Sequence, residues 1–229
     1  MTIDRILNIA LSLVAVFTAI VFHEVSHGHV ALRLGDPTAK HLGRLTLNPI
    51  AHVDPIGTLL VPLVLALFGA PLFGWAKPVP VNPGNFRNPF RGMMLVAIAG
   101  PSTNIVMAFA AAVLGRLLLL LVPASFQPAS GTLTANLVVA LFTLLALLVI
   151  YNLFLAGFNI LPIPPLDGSR VLAYFLPGSG RRVMLQLERY GFLIVAALLY
   201  LGVFNGVFRV VSRVGQSLIG LEWFLLIAK

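Results

Sequence analysis

Long runs of apolar residues alternate with short polar connections along the chain of 229 residues. Five long runs stand out, and they cover roughly Ile6–Leu34, Pro55–Phe73, Met93–Val122, Leu133–Phe158 and Tyr190–Val211. A shorter run, Ser217–Ala228, closes the chain. The first, third, fourth and fifth runs reach the roughly 20 residues that a helix needs to cross the hydrocarbon core. The pattern predicts an all-α polytopic membrane protein with about four to six membrane helices.

Two of the polar connections are rich in proline and glycine. Residues 35–55 (GDPTAKHLGRLTLNPIAHVDP) follow the first apolar run, and residues 74–92 (GWAKPVPVNPGNFRNPFRG) follow the second. The alternating, proline-studded character of the second connection favours extended edge strands over helix. We therefore expect a small membrane-associated β or re-entrant insert between the first and third apolar runs.

The domain organisation expected from this pattern is simple. No polar segment is long enough to form a separate soluble domain, and no period of about 20–50 residues repeats. We expect one membrane-embedded domain over residues 1–229, with a core at about 6–175 and C-terminal helices over 188–229. The run Ile6–Val21 is long for a cleaved signal peptide and lacks a small-residue cleavage site after it, so we interpret it as a retained helix.

The composition supports lipid as the main solvent of the chain. Hydrophobic residues make up 59% and charged residues only 10%, whereas globular domains carry about 25% charged residues. The net charge is +8, but the basic residues fall between the apolar runs, which indicates membrane topology and headgroup contact rather than nucleic-acid binding. The chain has no cysteine, which excludes disulfides, thiolate metal sites and cysteine nucleophiles.

The first apolar run ends in ionisable residues, because His23-Glu24-Val25-Ser26-His27 matches the pattern H-E-x-x-H. On a helix, residues i and i+4 lie one above the other on one face, so both imidazoles can bind one Zn²⁺. Glu24 lies about 100° around the helix from His23, where it can reach a metal-bound water as a general base without being a ligand. Two hydrogen-bonded core histidines are the alternative, but ionisable groups at membrane depth are costly and usually functional.

One zinc per chain needs a third ligand, since a hydrolytic zinc takes three protein ligands and keeps one position for water. The other acidic residues lie at the ends of apolar runs or in a turn, which leaves Asp54 and Asp167. Asp167 follows three prolines in FNILPIPPLDGSR (Phe158–Arg170), where regular helix is forbidden. Unwound backbone at membrane depth survives only if it is buried in protein or lines a wet cavity. The sequence therefore favours Asp167.

Three motifs together resemble the site-2 protease family. They are H-E-x-x-H near the end of the first apolar run, A-G-P-S-T-N (Ala99–Asn104) and N-x-x-P-x-P-x-L-D-G (Asn159–Gly168). The resemblance covers about residues 20–175. The segment GWAKPVPVNP (Gly74–Pro83) is similar to the short bacterial members that carry neither a PDZ nor a CBS domain.

The resemblance implies an intramembrane zinc protease and assigns roles by position. His23, His27 and Asp167 become zinc ligands, and Glu24 becomes the general base. Asn159 matches a family position that contacts the substrate backbone.

A single-pass transmembrane protein or peptide is the implied substrate, and GWAKPVPV matches a strand-forming insert that can pair with it as it unfolds. A transmembrane helix hides its peptide bonds in its own hydrogen-bond ladder, so a protease must first draw it into an extended form. An edge strand replaces the lost hydrogen bonds. Hydrolysis then needs Glu24 to take a proton from the zinc-bound water and return it to the leaving amine.

Other polar residues have less specific interpretations. His29 lies on a different face from the two ligand histidines, and we expect a local hydrogen bond there. His52 and Asp54 could orient a ligand imidazole or could structure their loop. Gly100–Ser102 are small residues suited to close helix packing. Asn104 lies beside that packing and could hydrogen-bond near the site or contact substrate.

Two other functions fit parts of the pattern. A divalent metal-ion transporter would also carry intramembrane His and Asp, but it would string several such residues across the bilayer. A binding protein that has lost catalysis would not require Glu24. The sequence contains neither G-x-S-G, typical of intramembrane serine proteases, nor G-x-G-D, typical of paired-aspartate proteases.

The distribution of basic residues also predicts a topology. If the second apolar run is re-entrant, the three basic connections lie on one face of the membrane. The basic residues of the three connections are, in order, Arg33, Lys40 and Arg44; Lys77, Arg87 and Arg91; and Arg170, Arg181, Arg182 and Arg189. The connection over residues 123–132, which has no Lys or Arg, takes the other face. By the positive-inside rule the zinc site then lies toward the cytoplasm of a bacterial plasma membrane, with the amino terminus outside. Full crossing of the second run would place Lys77, Arg87 and Arg91 outside.

Overall fold

The structure is a computed structural model that describes residues 3–61, 64, 76–123, 125–128, 132–220 and 223. All regular elements in this part of the chain are helical, which confirms the all-α prediction. In chain order the α-helices are α1 (Ile3–Arg33), α2 (Thr38–His41), α3 (Pro89–Leu119), α4 (Leu133–Asn159), α5 (Asp167–Phe175), α6 (Gly178–Glu188), α7 (Gly191–Tyr200) and α8 (Asn205–Ile219). Short 3₁₀ turns lie at Pro49–His52 and Pro83–Asn85, and a π-helical turn lies at Pro55–Leu60.

Three of these helices, α1, α3 and α4, are long and apolar enough to cross a membrane. Two of them begin at side-chain caps: the Asn88 side chain accepts a hydrogen bond from the Arg91 N–H, and the Thr132 hydroxyl accepts one from the Ala135 N–H. Helices α3 and α4 have 31 and 27 residues. At about 1.5 Å per residue they exceed the roughly 30 Å of the hydrocarbon core. The first, third and fourth apolar runs therefore match candidate spans.

Helices α1, α3 and α4 pack against one another as a three-helix bundle. His27, near the end of α1, contacts Val96, near the start of α3, so these two helices run antiparallel. Asn104 in the middle of α3 hydrogen-bonds to both Ala19 of α1 and Asn152 of α4. One end of the bundle therefore combines the end of α1, the start of α3 and the end of α4.

The fifth apolar run, Tyr190–Val211, does not form the single membrane helix that its length predicted. Helix α7 ends at Tyr200, and α8 begins at Asn205. Gly202 lies between them with φ +71°, a conformation that ends helices and that other residues seldom adopt. Helices α6 and α7 together form a bent pair, with an angle of 78° between them, that is long enough to be a fourth span. The described part of the chain thus has three candidate spans, or four if this bent pair crosses.

Residues 62–63 and 65–73 of the second apolar run lie outside the described residues, and the prediction that this run is re-entrant and does not cross the membrane falls on them. The described residues that flank the run on either side meet, because the Lys77 N–H donates a 2.9 Å hydrogen bond to the His52 carbonyl. No regular strand forms over the described residues 76–82, where edge strands were expected. The backbone N–H groups of Val79 and Asn82 are bound by carboxylates instead of by a strand ladder.

Candidate metal centre

His23, His27 and Asp167 meet at the polar end of the bundle. The Nε2 atoms of the two imidazoles lie 3.0 Å apart. The Asp167 Oδ2 atom lies 3.2 Å from the His23 Nε2 and 3.4 Å from the His27 Nε2. All three side chains are buried, and they form the metal-binding cluster found within the described residues.

The spacing of these three atoms fits a tetrahedral metal site. Nitrogen and oxygen ligands lie about 2.0–2.2 Å from zinc, which in a tetrahedron separates them by roughly 3.3–3.6 Å. The observed separations of 3.0–3.4 Å are close to that range. Two neutral imidazoles and one carboxylate are also a ligand set that zinc uses in hydrolytic enzymes. The cluster therefore fits a zinc site.

The imidazole of His27 has a defined tautomer. Its Nδ1 lies 2.7 Å from the carbonyl oxygen of Val96, which can only accept a hydrogen bond, so Nδ1 carries the proton. In the neutral ring, Nε2 is then left with a lone pair directed at the cluster. Such a second hydrogen bond is the usual way to orient a metal-binding histidine.

The imidazole of His23 is oriented in the same way by an amide. Its Nδ1 lies 2.6 Å from the Asn104 Oδ1. The Asn104 amide nitrogen donates hydrogen bonds to the Ala19 carbonyl at 3.1 Å and to the Asn152 Oδ1 at 2.7 Å, which identifies its oxygen as the atom that faces His23. His23 Nδ1 therefore donates, and its Nε2 also presents a lone pair to the cluster.

Lone pairs of three atoms, the Nε2 atoms of His23 and His27 and the Oδ2 atom of Asp167, are therefore directed at one position, and no proton lies between them. Oδ2 of Asp167 is a buried atom with no hydrogen-bond donor among the described residues. In the neutral form neither histidine can supply one from Nε2, since each ring holds its single proton on Nδ1. Unpaired buried acceptors in such close contact are costly unless a cation binds them.

Gly100 of α3 allows the two imidazoles to lie against the helix backbone. A methyl group at this position would lie 2.5 Å from the Cε1 atoms of both His23 and His27. Real Cβ contacts are never this short, so no other residue fits without moving a ring. The small residues Gly100–Ser102, expected to serve helix packing, therefore also make room for the site.

Asp167 reaches the cluster from the first turn of α5, after the proline-rich segment over residues 160–166. That segment turns closely on itself, because a methyl group on Gly168 would collide with the carbonyl oxygens of Ile160 and Leu161. Helix α5 also packs against α3. The unwound backbone predicted here is only partly buried, since Ile160, Pro162 and Pro165 are exposed, and Ile160 and Pro162 line a groove beside Asp167. It holds the carboxylate beside α1.

Glu24 is half-buried and is bound by the polar segment that precedes α3. Its Oε2 atom accepts a 2.8 Å hydrogen bond from the Val79 N–H. The side chain is not part of the three-residue cluster. Gly28, one turn further along α1, lies against both polar connections, because a Cβ atom there would lie 2.4 Å from the Leu45 side chain and 3.0 Å from the Val79 side chain.

A groove of about 420 Å³ leads to Asp167 along the surface between α3 and the segment before α5. Its other lining residues include Ile98, Pro101, Ile105, Asn159 and Leu172. Asn159 is half-buried there, and its amide nitrogen donates to the Leu155 carbonyl at 3.0 Å. The lining of the groove is mainly apolar, and Ser102, Asn159 and Asp167 are its polar members.

Comparison with known proteins gives relatives that cover most of the chain. It is 42% identical over 200 residues to a Bacillus subtilis protein named "Putative zinc metalloprotease YwhC", a match that covers 85% of this chain and 84% of the relative. It is 32% identical over 198 residues to a Mycolicibacterium smegmatis protein named "Putative zinc metalloprotease Rip2", covering 82% and 69% of the two chains. The chain belongs to the site-2 protease-like family of zinc metalloproteases. No family model matches the sequence, and no solved structure matches it significantly.

Two residues considered for the second coordination sphere of this metalloprotease lie elsewhere. His52 is buried, and its Nε2 bonds to the Thr46 carbonyl. The Asp54 carboxylate accepts hydrogen bonds from two backbone N–H groups of the turn that it caps, at Ile56 and Gly57. The Nδ1 atoms of His23 and His27 are bound by Asn104 and Val96, whereas these contacts of His52 and Asp54 lie within their own loop, as the loop-structuring alternative expects.

His29 forms the local hydrogen bond expected for it. Its Nδ1 lies 2.9 Å from the carbonyl oxygen of Val25, in the preceding turn of α1. The ring is not part of the metal cluster.

Three contacts were not predicted from the sequence: two lie beside the cluster, at Asn152 and the Val96 carbonyl, and one lies outside it, at Asp36. Asn152 lies within an unbroken apolar run, and the Val96 carbonyl is a backbone group, so neither had a side-chain pattern around it. Asp36 was interpreted as a simple turn residue. An asparagine within an otherwise apolar run was the available signal, since polar groups at membrane depth are costly.

Asp36 joins the polar segments on either side of the second apolar run. The fully buried carboxylate accepts hydrogen bonds from the N–H and hydroxyl of Thr38, from the Asn82 N–H at 2.7 Å and from the Asn85 amide at 2.7 Å. Burial alone would raise the pKa of Asp36, but these hydrogen bonds stabilise the carboxylate and hold its pKa below the ordinary value. Asp36 and Glu24 therefore hold the two ends of the segment Val79–Asn82.

Proposed function

We propose that this chain is an intramembrane zinc endopeptidase that cleaves peptide bonds within or near transmembrane segments of membrane proteins. The observation that carries the proposal is the convergence of two proton-free imidazole nitrogens and one carboxylate oxygen at the end of a membrane bundle. His23, His27 and Asp167 are the proposed zinc ligands. The relatives named as zinc metalloproteases support the same class of reaction.

Zinc bound at this site would supply a Lewis acid that polarises the scissile carbonyl and acidifies water. Glu24 is the proposed general base. Its carboxylate is turned toward the start of the polar segment by the Val79 N–H, which leaves the second oxygen to take a proton from water. The same carboxyl group then donates that proton to the leaving amine, so Glu24 returns to the carboxylate form.

The groove beside Asp167 is the proposed path of the substrate chain. Its apolar walls on α3 and α5 suit the side chains of a transmembrane segment, and Asn159 lies where a backbone amide could bind. The segment over residues 76–82 is the proposed partner strand for an unfolding substrate. Asn104 is fully buried and bonded to His23, so we assign it to ligand orientation.

The site is proposed to lie toward the cytoplasm. Three basic connections meet at the same end of the bundle: Arg44 donates to the Lys77 carbonyl at 2.9 Å, and the Arg181 guanidinium lies 4.3 Å from the ring centroid of Phe90. The hydrogen bond between Lys77 and His52 also joins the entry and exit of the second apolar run, as re-entrance requires. In membrane proteins, the cytoplasmic connections carry an excess of Lys and Arg.

Single cysteines test this orientation without background, because the natural chain has none. In intact cells, an impermeant thiol reagent should label Gln127→Cys and spare Lys40→Cys, Arg87→Cys and Arg181→Cys. After the membrane is permeabilised, all four should react. Labelling of Arg87→Cys together with Gln127→Cys in intact cells would show that the second apolar run crosses, and this topology would be wrong.

Proteolysis itself is tested with purified protein in detergent or vesicles and a panel of single-pass membrane proteins. We expect cleavage inside or next to the transmembrane segment of at least one substrate, loss of cleavage with a chelator and recovery with added zinc. Mass spectrometry of the fragments locates the cut. Transport of zinc across the vesicle membrane without any cleavage would favour the transporter alternative. The described residues hold one cluster of metal-binding side chains rather than a series of them across the membrane.

A further inference from the structure

Asn152 is a fully buried polar side chain in the middle of a membrane helix, and it does not touch the metal cluster. Its amide nitrogen donates a 2.8 Å hydrogen bond to the Leu148 carbonyl, one turn back on α4. Its Oδ1 accepts a 2.7 Å hydrogen bond from the Asn104 amide nitrogen on α3. A leucine would fill this apolar run at lower cost, so the amide needs another reason to be there.

We propose that Asn152 is a positioning residue for zinc binding, acting through Asn104 on the tautomer of His23. This inference rests on the proposed zinc function. The bond from Asn152 to Leu148 fixes which atom of the Asn152 amide is the oxygen, because a carbonyl can only accept. The Asn152 oxygen accepts a hydrogen bond from the Asn104 amide nitrogen, so that nitrogen faces Asn152. The Asn104 oxygen then faces His23.

The orientation of Asn104 decides whether His23 can bind a metal. With the oxygen facing it, Nδ1 of His23 must donate, and Nε2 carries the lone pair. If the amide were flipped, its NH₂ group would face Nδ1, which would then have to accept. The ring proton would move to Nε2, and that atom could no longer be a zinc ligand.

Across the interface between α3 and α4, the hydrogen bond to Asn152 favours the observed orientation of the Asn104 amide over the flipped one. In the observed state the Asn104 nitrogen has two acceptors, the Ala19 carbonyl at 3.1 Å and the Asn152 oxygen at 2.7 Å. A flip would place the Asn104 oxygen against both of those oxygens. Removing the Asn152 oxygen removes the shorter of the two contacts and lowers the cost of the flip.

Three variants of α4 test the proposal by zinc affinity, measured in purified protein by competition with a chelator. Asn152→Leu keeps the branched shape of the side chain, although its methyl groups are bulkier, and removes the acceptor. We expect zinc affinity to fall by about 10-fold to 100-fold, the usual effect of losing an outer partner of a ligand histidine. Asn152→Asp keeps an acceptor for Asn104 and, when protonated, a donor for Leu148. It should stay within about threefold of the natural protein.

Thr143→Val is the matched control, because the Thr143 hydroxyl makes the same kind of bond to a carbonyl one turn back on α4, the Val139 carbonyl at 2.8 Å. It should leave zinc affinity unchanged. In an Asn104→Leu background, adding Asn152→Leu should cause no further loss, since Asn152 acts through Asn104. Absorption of the cobalt-substituted protein gives a second measure of how each variant binds metal.

The outcomes separate this inference from the proposed function. If the natural protein binds no zinc, the zinc function fails. If it binds one zinc and Asn152→Leu binds equally well, the function stands and the positioning role is wrong. Equal losses in Asn152→Leu, Asn152→Asp and Thr143→Val would show a general weakening of α4 and also overturn the role. An additive loss in the double variant would overturn the path through Asn104.

Discussion

The two halves of the three-helix bundle are held together by different interactions. In the half away from the cluster, the contacts are mainly between small and aromatic residues of α3 and α4; they include Ala108, Ala111, Ala112, Phe142 and Ala146. The buried indole N–H of Trp223 donates a 3.0 Å hydrogen bond to the Phe142 carbonyl there. Trp223 completes that half, with its ring 5.6 Å from Phe142 and its edge against Gly115. In the other half, the same helices are joined by side-chain hydrogen bonds through Asn104, Asn152 and His23.

The difference shows which half is arranged for chemistry. Lipid removes most of the hydrophobic drive between helices, so close packing of small residues is sufficient to hold the apolar half. Buried polar groups at this depth need partners, and most of those around the cluster have them. The lone pairs left over at the cluster come from His23, His27 and Asp167 and share one point. Perturbing each half should therefore affect different properties.

Removing the third ligand should have the largest effect. Asp167→Ala takes away one of three ligands, and we expect purified protein to lose its zinc and all proteolysis. Asp54→Ala is the matched control, because its carboxylate only caps a turn. It should keep about one zinc per chain. Metal analysis giving the reverse order would transfer the ligand role to Asp54.

A pair of glycine substitutions compares the two halves directly. Gly100→Ala places a methyl group against both imidazoles, so zinc affinity should fall by at least about 100-fold. Gly115→Ala places one against the Trp223 ring in the apolar half. It should lower the thermal unfolding midpoint by several degrees and leave zinc bound. Loss of zinc in Gly115→Ala at temperatures where it remains folded would mean that the two halves are not independent.

Within the polar half, Glu24→Gln separates catalysis from metal binding. The amide cannot take a proton from water, so cleavage should fall by about 10²-fold to 10⁴-fold. Zinc content should stay at the natural level, because Glu24 is not part of the cluster. Both quantities are measured on one preparation, by fragment formation and by metal analysis. Undiminished cleavage would remove Glu24 from the mechanism.

The smallest effect is expected at Asp36, which holds the polar connections together outside the membrane helices. Its folded-state pKa is depressed, so its contribution to stability is present above the ordinary Asp pKa of about 3.9 and is lost as the pH falls through the lower folded value. Asp36→Asn should cost about 1–3 kcal/mol in the free energy of unfolding at pH 7. The difference from the natural protein should shrink below about pH 4 in thermal unfolding experiments. An equal difference at pH 7 and pH 3 would contradict this role.

The sequence predicted the parts of the molecule that depend on local spacing. The pair His23 and His27 follows from helix periodicity, and the three long spans follow from apolar length. The third ligand could be narrowed to Asp54 and Asp167 by excluding the other acidic residues, and the prolines before Asp167 then favoured that residue. The position of Asp167 beside α1 depends on how α5 packs against the rest of the bundle, and the sequence of one segment does not determine that packing.

What the sequence could not predict depends on contacts between distant segments. The Asn104–Asn152 bond joins two helices 48 residues apart, and Asp36 binds Asn85 across 49 residues. The break at Gly202 was missed because apolar content continues through it, whereas the turn depends on backbone conformation. Hydropathy measures burial in lipid and carries no information on these partners.

X-ray absorption at the zinc edge tests the central claim most directly, because it counts the ligands around the metal in purified protein. We predict one zinc per chain with two imidazole nitrogens and oxygen ligands at about 2.0–2.2 Å. In Asp167→Ala the zinc should be lost. A natural protein that binds no zinc, or that binds it with one imidazole or with three, would contradict the site formed by His23, His27 and Asp167.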